Sequence, residues 1–424
     1  MKKQYLLSLL ITSNSFVQAQ VSCFPEGVSF STQSQLEEFV IQNPTCNHIA
    51  GFVRITDLVT DLSPLSQLDS ISGYFTVSQA SQLSSLDGLD NLVYIGGGIN
   101  IDNNPLLVSC SALASLESVN GDLWISENAS LVNLNGFNAI QNVEGNLLIG
   151  NCISLNSTAS LQSLETIAGN FDIINCGGIS SISGFIALSE LEGYLNITGN
   201  ENLISILEFP LLAEIGGGLQ ISSNNSLTNI SGFSALQTVN GDLLISENPD
   251  LVNLTGLDML TAVNGDFEIA ENQSLSSLSN LSSLSNIDGA LSINLNPSLL
   301  SLSGIHNIEP TTIDEVEIIQ NSSLSQCSIV NLCYYIENSV GPLFISEGQN
   351  AQGCNSVSEI AQNCISGIDN ISEMSIPVVY PNPAINCLSI NGDYSGFLYS
   401  IEDYTGKMVQ SGTVGATQLD ISEL

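Results

Sequence analysis

Glycine recurs every 24 residues through the middle of this chain, at Gly73, Gly97, Gly121, Gly145, Gly169, Gly193, Gly217, Gly241, Gly265 and Gly289. Few folds tolerate so strict a period. Counting each glycine as position zero, position 2 is Phe75, Ile99, Leu123, Leu147, Phe171, Leu195, Leu219, Leu243, Phe267 and Leu291, and position 4 is Val77 followed by Ile in all nine later repeats. That alternation marks a short strand with one buried face beside a glycine-containing turn. Apolar columns follow at positions 10, 13, 16, 19 and 22, with Phe185, Phe209 and Phe233 in register at position 16. A unit of this kind cannot bury its own apolar face, so neighbouring units must stack, each ~4.8 Å above the last. Helices are a poor alternative, because Ser, Asn, Gly and β-branched residues fill every repeat without a 3.6-residue period. The expected fold is all-β: a parallel β-solenoid of about eleven to twelve 24-residue coils, with a small β-sandwich-like tail.

Position 7 is Asn104, Asn128, Asn200, Asn224, Asn248, Asn272 and Asn296. Stacked amides at a turn satisfy backbone groups of the coils above and below, a structural role more than a ligand-binding one. Between Asn128 and Asn200 the column is broken by Cys152 and Cys176 in consecutive coils. Equivalent Cα atoms ~4.8 Å apart fall inside the disulfide range, so a Cys152–Cys176 bond is expected, with two buried thiols as the alternative. Cys110, alone at position 13, is expected to be free, as is Cys387. Ten cysteines in an exported chain read as disulfides. Cys23 and Cys46 bracket a short amphipathic helix over 34–40, Cys327 and Cys354 share a column at the far end, and that leaves Cys333 with Cys364.

The units GDLWISENASLVNLNGFNAIQNVE (121–144), GDLLISENPDLVNLTGLDMLTAVN and GGLQISSNNSLTNISGFSALQTVN resemble receptor L domain repeats, a leucine-rich-repeat-like β-helix of receptor ectodomains and bacterial surface proteins. The resemblance covers about residues 51–350 and implies a right-handed solenoid. An ordinary leucine-rich repeat fits nearly as well, through positions 2, 4 and 7, but places its next Leu two residues after the Asn where this chain places it three after. Neither family fixes a function.

The flanks divide the chain further. Lys2 and Lys3, an apolar stretch from Leu6 to Ile11, and Val17-Gln18-Ala19 read as a secretory signal peptide over 1–19, too short in its apolar part for a membrane span. Residues 20–50 are expected to form an N-terminal cap, 51–313 the repeats, 314–364 a C-terminal cap and 365–377 a linker, since solenoid ends need protection. From Val378 the segment VVYPNPAINCLSINGDYSGFLYS resembles the sorting domain of type IX secretion, most specifically at Tyr380-Pro381-Asn382-Pro383. The resemblance implies passage through that secretion machinery to the outer cell surface or medium. The sequence stops at Leu424, short of the closing strands and basic terminus of that family, so the domain over 378–424 is expected to be incomplete.

Forty-two acidic residues against four basic ones give a net charge of −38. Nucleic acid is excluded on that ground, for phosphate neutralisation needs Lys and Arg clusters, and anionic membranes would be repelled. A protein or glycan ligand fits better. Catalysis lacks its usual apparatus: the only histidines are His48 and His306, Arg54 is the only basic residue of the repeats, and no G-x-S-x-G or H-E-x-x-H occurs. The informative positions face outward at position 3, where Trp124, the only tryptophan, is followed one coil later by Leu148. An exposed aromatic beside a leucine is a stacking or contact platform, or else an isolated apolar surface residue. At position 6, Glu247 and Glu271 lie in adjacent coils. They read as a solvated, mutually repelling pair, with Ca²⁺ the ion they would attract if further oxygen ligands joined them. No other cofactor is expected. The leading reading is an exported binding or adhesion scaffold. The alternatives are a polysaccharide-active β-helix enzyme and a plain spacer.

Overall fold

The computed structural model describes residues 22–369 and five tail strands, with side chains through Cys364. The expected signal peptide and the Pro381-Asn382-Pro383 motif lie outside the described residues, as does the side chain of Cys387. The chain forms two units, residues 1–357 and 358–424. The first is a parallel β-solenoid. Its main sheet has fourteen strands, all parallel and in chain order, from Val28–Thr32 to Leu343–Ile345. One strand precedes residue 51, eleven lie within 51–313 and two follow, so the sheet runs through both caps. Pairing joins residues 24 apart: Leu123 faces Ile99 on one side and Leu147 on the other.

One coil shows why the period is rigid. Leu123, Ile125, Leu131, Leu134, Phe137, Ile140 and Val143 all point inward and are buried. Each such side chain contributes about 1.5–3 kcal/mol when withdrawn from water, and its neighbours above and below are its own equivalents. Phe185, Phe209 and Phe233 stack at centroid distances of 5.1 Å with planes 5° apart. Two-residue strands at positions 21 and 22, such as Asn142–Val143 and Thr166–Ile167, form short ladders of their own before the glycine. The column glycine is required by close approach: a Cβ on Gly193 would lie 2.5 Å from the Gly169 carbonyl oxygen. Position 6 carries the opposite demand, with left-handed backbone at non-glycine residues including Asn103, Glu127, Glu247, Glu271 and Leu295.

The asparagine column is buried and bonds along its whole length. Asn104 accepts from the Ala80 N–H at 3.0 Å, donates its own N–H to Asn128 Oδ1 at 3.0 Å, and donates through Nδ2 to the Val77 carbonyl at 2.9 Å. The same Nδ2-to-carbonyl bond recurs at Asn200, Asn224, Asn248, Asn272 and Asn296, then Asn321 and Asn350.

The expected Cys152–Cys176 disulfide is not formed; both residues are buried free thiols. Matching Cα spacing in a stack is not sufficient: the sulfurs must also converge, as those of Cys327 and Cys354 do in their shared column and those of Cys152 and Cys176 do not. Sulfur instead takes the place of the amide. Cys152 Sγ lies 3.9 Å from the Ile125 carbonyl and Cys176 Sγ 3.7 Å from that of Ile149, the carbonyls that Asn Nδ2 engages elsewhere. Cys152 is held below the ordinary thiol range chiefly by its hydrogen bond from Cys176, which that same bond and burial push up. Cys110 is free and buried, and burial, followed by the nearby Cys152, pushes its pKa up to about 12.

At the N-terminal end, α1 (Gln33–Gln42) has Thr32 as N-cap with Gln35 completing a capping box, and buries Leu36 and Phe39, the latter against Phe24 and Phe30. Cys23 and Cys46 are bonded, with Cα atoms 6.0 Å apart. At the other end Cys327 and Cys354 are bonded, Cα to Cα 5.4 Å, and Cys333 and Cys364 are both disulfide-bonded. The C-terminal cap contains a helix that the repeat pattern did not announce, α2 (Val330–Asn338), burying Leu332 and Tyr335 over the last coils. A further helix, α3 (Val357–Asp369), runs into the stretch expected as linker; residues 370–377 lie outside the described residues. In the second unit, strands Val378–Tyr380, Cys387–Asn391 and Gln418–Asp420 form one antiparallel sheet, and Leu398–Glu402 pairs with Met408–Thr413. No helix among the described residues is long and apolar enough to cross a membrane.

Candidate functional site

Because every strand of the main sheet is in register, position 3 becomes a single outward row: Asn100, Trp124, Leu148, Asp172, Asn196, Gln220, Leu244, Glu268. Position 1 supplies a parallel row beside it, in which Tyr194 is followed by Gly218 and then Asp242. Two depressions lie along these rows. The smaller, of about 180 Å³, is lined by Trp124, Leu148, Asn170 and Asp172. The larger, of about 540 Å³, is lined by Asn196, Gly218, Gln220, Leu244 and Glu268. Tyr194 borders both and stands where they meet, its hydroxyl on Asp172, so the two adjoin end to end as a two-part groove along the sheet. Gly218 explains the greater width of the second part, since position 1 offers no side chain there.

Trp124 is 46% exposed and Tyr194 40%. Asp172 lies between them, only 8% exposed, accepting from Asn196 Nδ2 at 2.9 Å and from the Tyr194 hydroxyl at 3.2 Å. Burial raises its pKa against the lowering effect of those two hydrogen bonds. Glu268 is likewise raised, first by burial and then by Glu317, Asp266 and Glu271. Several carboxylates of the groove are already engaged: Asp122 Oδ1 accepts from the Asn146 N–H and Nδ2, and Asp242 Oδ1 from the Asp266 N–H. At the Trp124 end, Asn100 Oδ1 is buried with no hydrogen-bond partner.

Trp124 and Leu148, singled out from sequence, are therefore adjacent on an open face. Asp172 and Gln220 stand in the same outward column, as the period requires, whereas sequence reasoning missed Tyr194 and Leu244 as their neighbours. A signal existed at position 1, where Tyr74, Gly98, Asp122 recurs five coils later as Tyr194, Gly218, Asp242. Glu247 and Glu271 are exposed on left-handed backbone, and Glu247 accepts from the Ser223 hydroxyl at 2.8 Å. Among the described residues no group of three or more His, Cys, Asp or Glu is arranged to hold a metal.

His48 has more company than its position in the sequence suggested. Its Nδ1 is 2.9 Å from Ser70 Oγ, its Nε2 is 3.2 Å from Ser72 Oγ, and Ser70 donates to Asp69 at 2.5 Å. A Ser–His–Ser–Asp row has the outline of a proton relay, but acyl transfer also needs N–H donors for the developing oxyanion. The N–H groups of Ser72 and Gly73 are already bonded to the carbonyls of Ile49 and Gly51. The row ties the N-terminal cap to the first coils. His306 is exposed and bonds through Nδ1 to the Ser303 carbonyl of its own turn.

No family model matches the chain, and no curated protein matches it. Among solved structures it is similar to the chain of a TLR13–ssRNA13 complex, at 15% identity and a TM-score of 0.26 over 76% of this chain. The match spans 62% of that chain.

Proposed function

We propose that this protein is an exported, non-enzymatic binding scaffold of the receptor L domain kind, which engages a ligand through the outward face of its main sheet. The observation that supports this most is the groove bordered by Trp124 and Tyr194, two large aromatic side chains left open beside Leu148 and Leu244 and among polar residues of the main sheet. A spacer has no use for such a groove. An enzyme would want an acid and a base at reacting distance within it, and the carboxylates there are largely engaged in bonds between coils. The net charge of −38 disfavours nucleic acid as the ligand. Disulfides at both ends support an oxidising compartment. Export fits the Lys2-Lys3 leader, and the antiparallel strands after Val378 fit a type IX sorting domain that hands the chain to that machinery for display or release. The test is retention of the purified chain on cell surfaces, protein arrays and glycan arrays. Wild type is expected to be retained on at least one of these and Trp124→Ala to lose most of that retention; equal retention of the two would overturn the reading.

A further inference from the structure

Resting on the reading of this face as a binding surface, we propose that its ligand is a neutral, extended glycan lying along the groove from Trp124 to Glu268, parallel to the stacking axis. The rows at positions 1 and 3 repeat at ~4.8 Å per coil, so the seven coils from Trp124 to Glu268 present a strip about 29 Å long with one residue of each row at every step. A linear polymer of similar units matches a surface of that periodicity, whereas a folded protein partner has no reason to.

The chemistry of the strip points the same way. Sugar rings carry one apolar face and a rim of hydroxyls, and the groove offers surfaces for both. Trp124 with Leu148, and Tyr194 with Leu244 beyond it, offer apolar area. Asp172, Asn196, Gln220 and Glu268 offer amide and carboxylate groups that exchange hydrogen bonds with hydroxyls. Gly218 leaves the floor open at the widest point, so backbone and ring can approach closely.

Charge separates the classes of ligand. Uronic or sulfated glycans would face Asp122, Asp172, Asp242, Asp266 and Glu268 within a protein of net charge −38, with no Lys or Arg lining either depression. A basic peptide would want carboxylates free to form ion pairs. Here Asp172 is nearly buried and takes a bond on each oxygen, and Asp122 and Asp242 are committed to neighbouring coils through Oδ1. Such carboxylates are better placed to accept from hydroxyls, which bring no charge of their own. That Asp172 is kept ionisable at a site that disfavours its charge supports a role in recognition over one in folding.

Affinity electrophoresis of the mature full-length chain tests this, using gels cast with neutral polysaccharides (glucan, mannan, xylan and galactan), with polygalacturonate as the acidic comparison and a Lys-rich peptide as the basic one. At least one neutral polymer is expected to retard the protein and polygalacturonate is not. Tyr194→Ala and Trp124→Ala should each weaken retardation about tenfold or more, as aromatic anchors at the centre of interfaces do. Tyr194→Phe should keep part of it, and Tyr94→Ala, an exposed aromatic on the short-strand side, should change nothing. Retardation by no neutral polymer, or by one but unchanged in Tyr194→Ala, would overturn the glycan assignment. Retention on a protein array that still depends on Trp124 would then leave the binding scaffold standing without its glycan.

Discussion

Removing one amide from the buried asparagine column should cost more than removing a large surface residue, and Asn248→Ala is the cleanest case. Asn248 Oδ1 accepts from the Asn224 N–H at 3.2 Å and Nδ2 at 3.3 Å, while its own Nδ2 donates to the carbonyls of Ile221 and Ser246, each at 2.9 Å. The alanine variant leaves the Asn224 N–H buried without a partner, at about 1–3 kcal/mol, and strips a donor from two carbonyls that retain some other satisfaction. A loss of about 3–5 kcal/mol in all is expected. Asn248→Cys should cost about 1–2 kcal/mol, because Cys152 and Cys176 show that sulfur can occupy this rung while keeping weak versions of the same bonds. Asn253→Ala, an exposed position whose Oδ1 bonds only the Thr255 N–H two residues on, should stay within about 1 kcal/mol. Denaturant midpoints report the ranking. Amide exchange at Asn224 localises it, since coils unfold partly as neighbours and a global midpoint blurs one rung. If Asn248→Ala behaved like Asn253→Ala, and the Asn224 amide stayed protected, the column would not be what satisfies the turn.

Other outcomes follow from single positions. Leu295 holds a left-handed backbone at φ 57° where Asn103, Asn151 and Asn175 stand in other coils, so Leu295→Asn should raise stability by about 1 kcal/mol; a lower thermal midpoint would contradict that. Asp172 has a folded pKa raised by burial, so its contribution favours the fold below the unfolded carboxyl pKa and is lost as pH rises through the folded value. Asp172→Asn should therefore stabilise at neutral pH and flatten the pH dependence of the midpoint in the acid range, and an unchanged profile would refute it. Cys110, Cys152 and Cys176 should all react with an alkylating reagent once the unreduced mature protein is denatured, whereas Cys23, Cys46, Cys327 and Cys354 should not. Replacing Cys152 and Cys176 together by Asn should restore full amide rungs and raise the midpoint; a fall would mean that the sulfurs pack better than they bond.

The solenoid was legible because stacking turns a local requirement into a column. Leu123 must be apolar for the same reason as Leu147, and the eye needs only the period. The same regularity misled at Cys152 and Cys176: Cα spacing in a stack satisfies the disulfide range but does not by itself make the sulfurs converge, so one stacked pair bonds at Cys327–Cys354 while this one stays free. Asn350 was hidden by inserted residues that displace it from position 7 of its coil, although it takes the same bonds. Helix α2 went unseen because it replaces a coil's return path and follows no repeat. At the site, Trp124 and Leu148 stood out by being unusual for their column. Tyr194 did not, because the groove it borders depends on what is missing at Gly218 and on two rows read together. Asp172 was visible as a polar residue but not as a buried one, since only the bonds from Asn196 and Tyr194 reveal its setting.

The lone tryptophan makes the central claim directly measurable, because all indole fluorescence of the chain comes from Trp124. At 46% exposure it should emit as a largely solvated indole. Titrating the mature protein with the neutral polysaccharide that retards it most should give a saturable blue shift or quench with the same midpoint as the retardation, and Tyr194→Ala should move that midpoint to about tenfold higher concentration. A ligand that is bound by the protein yet leaves the emission of Trp124 unchanged at saturation would show that the sheet face is not where this molecule binds.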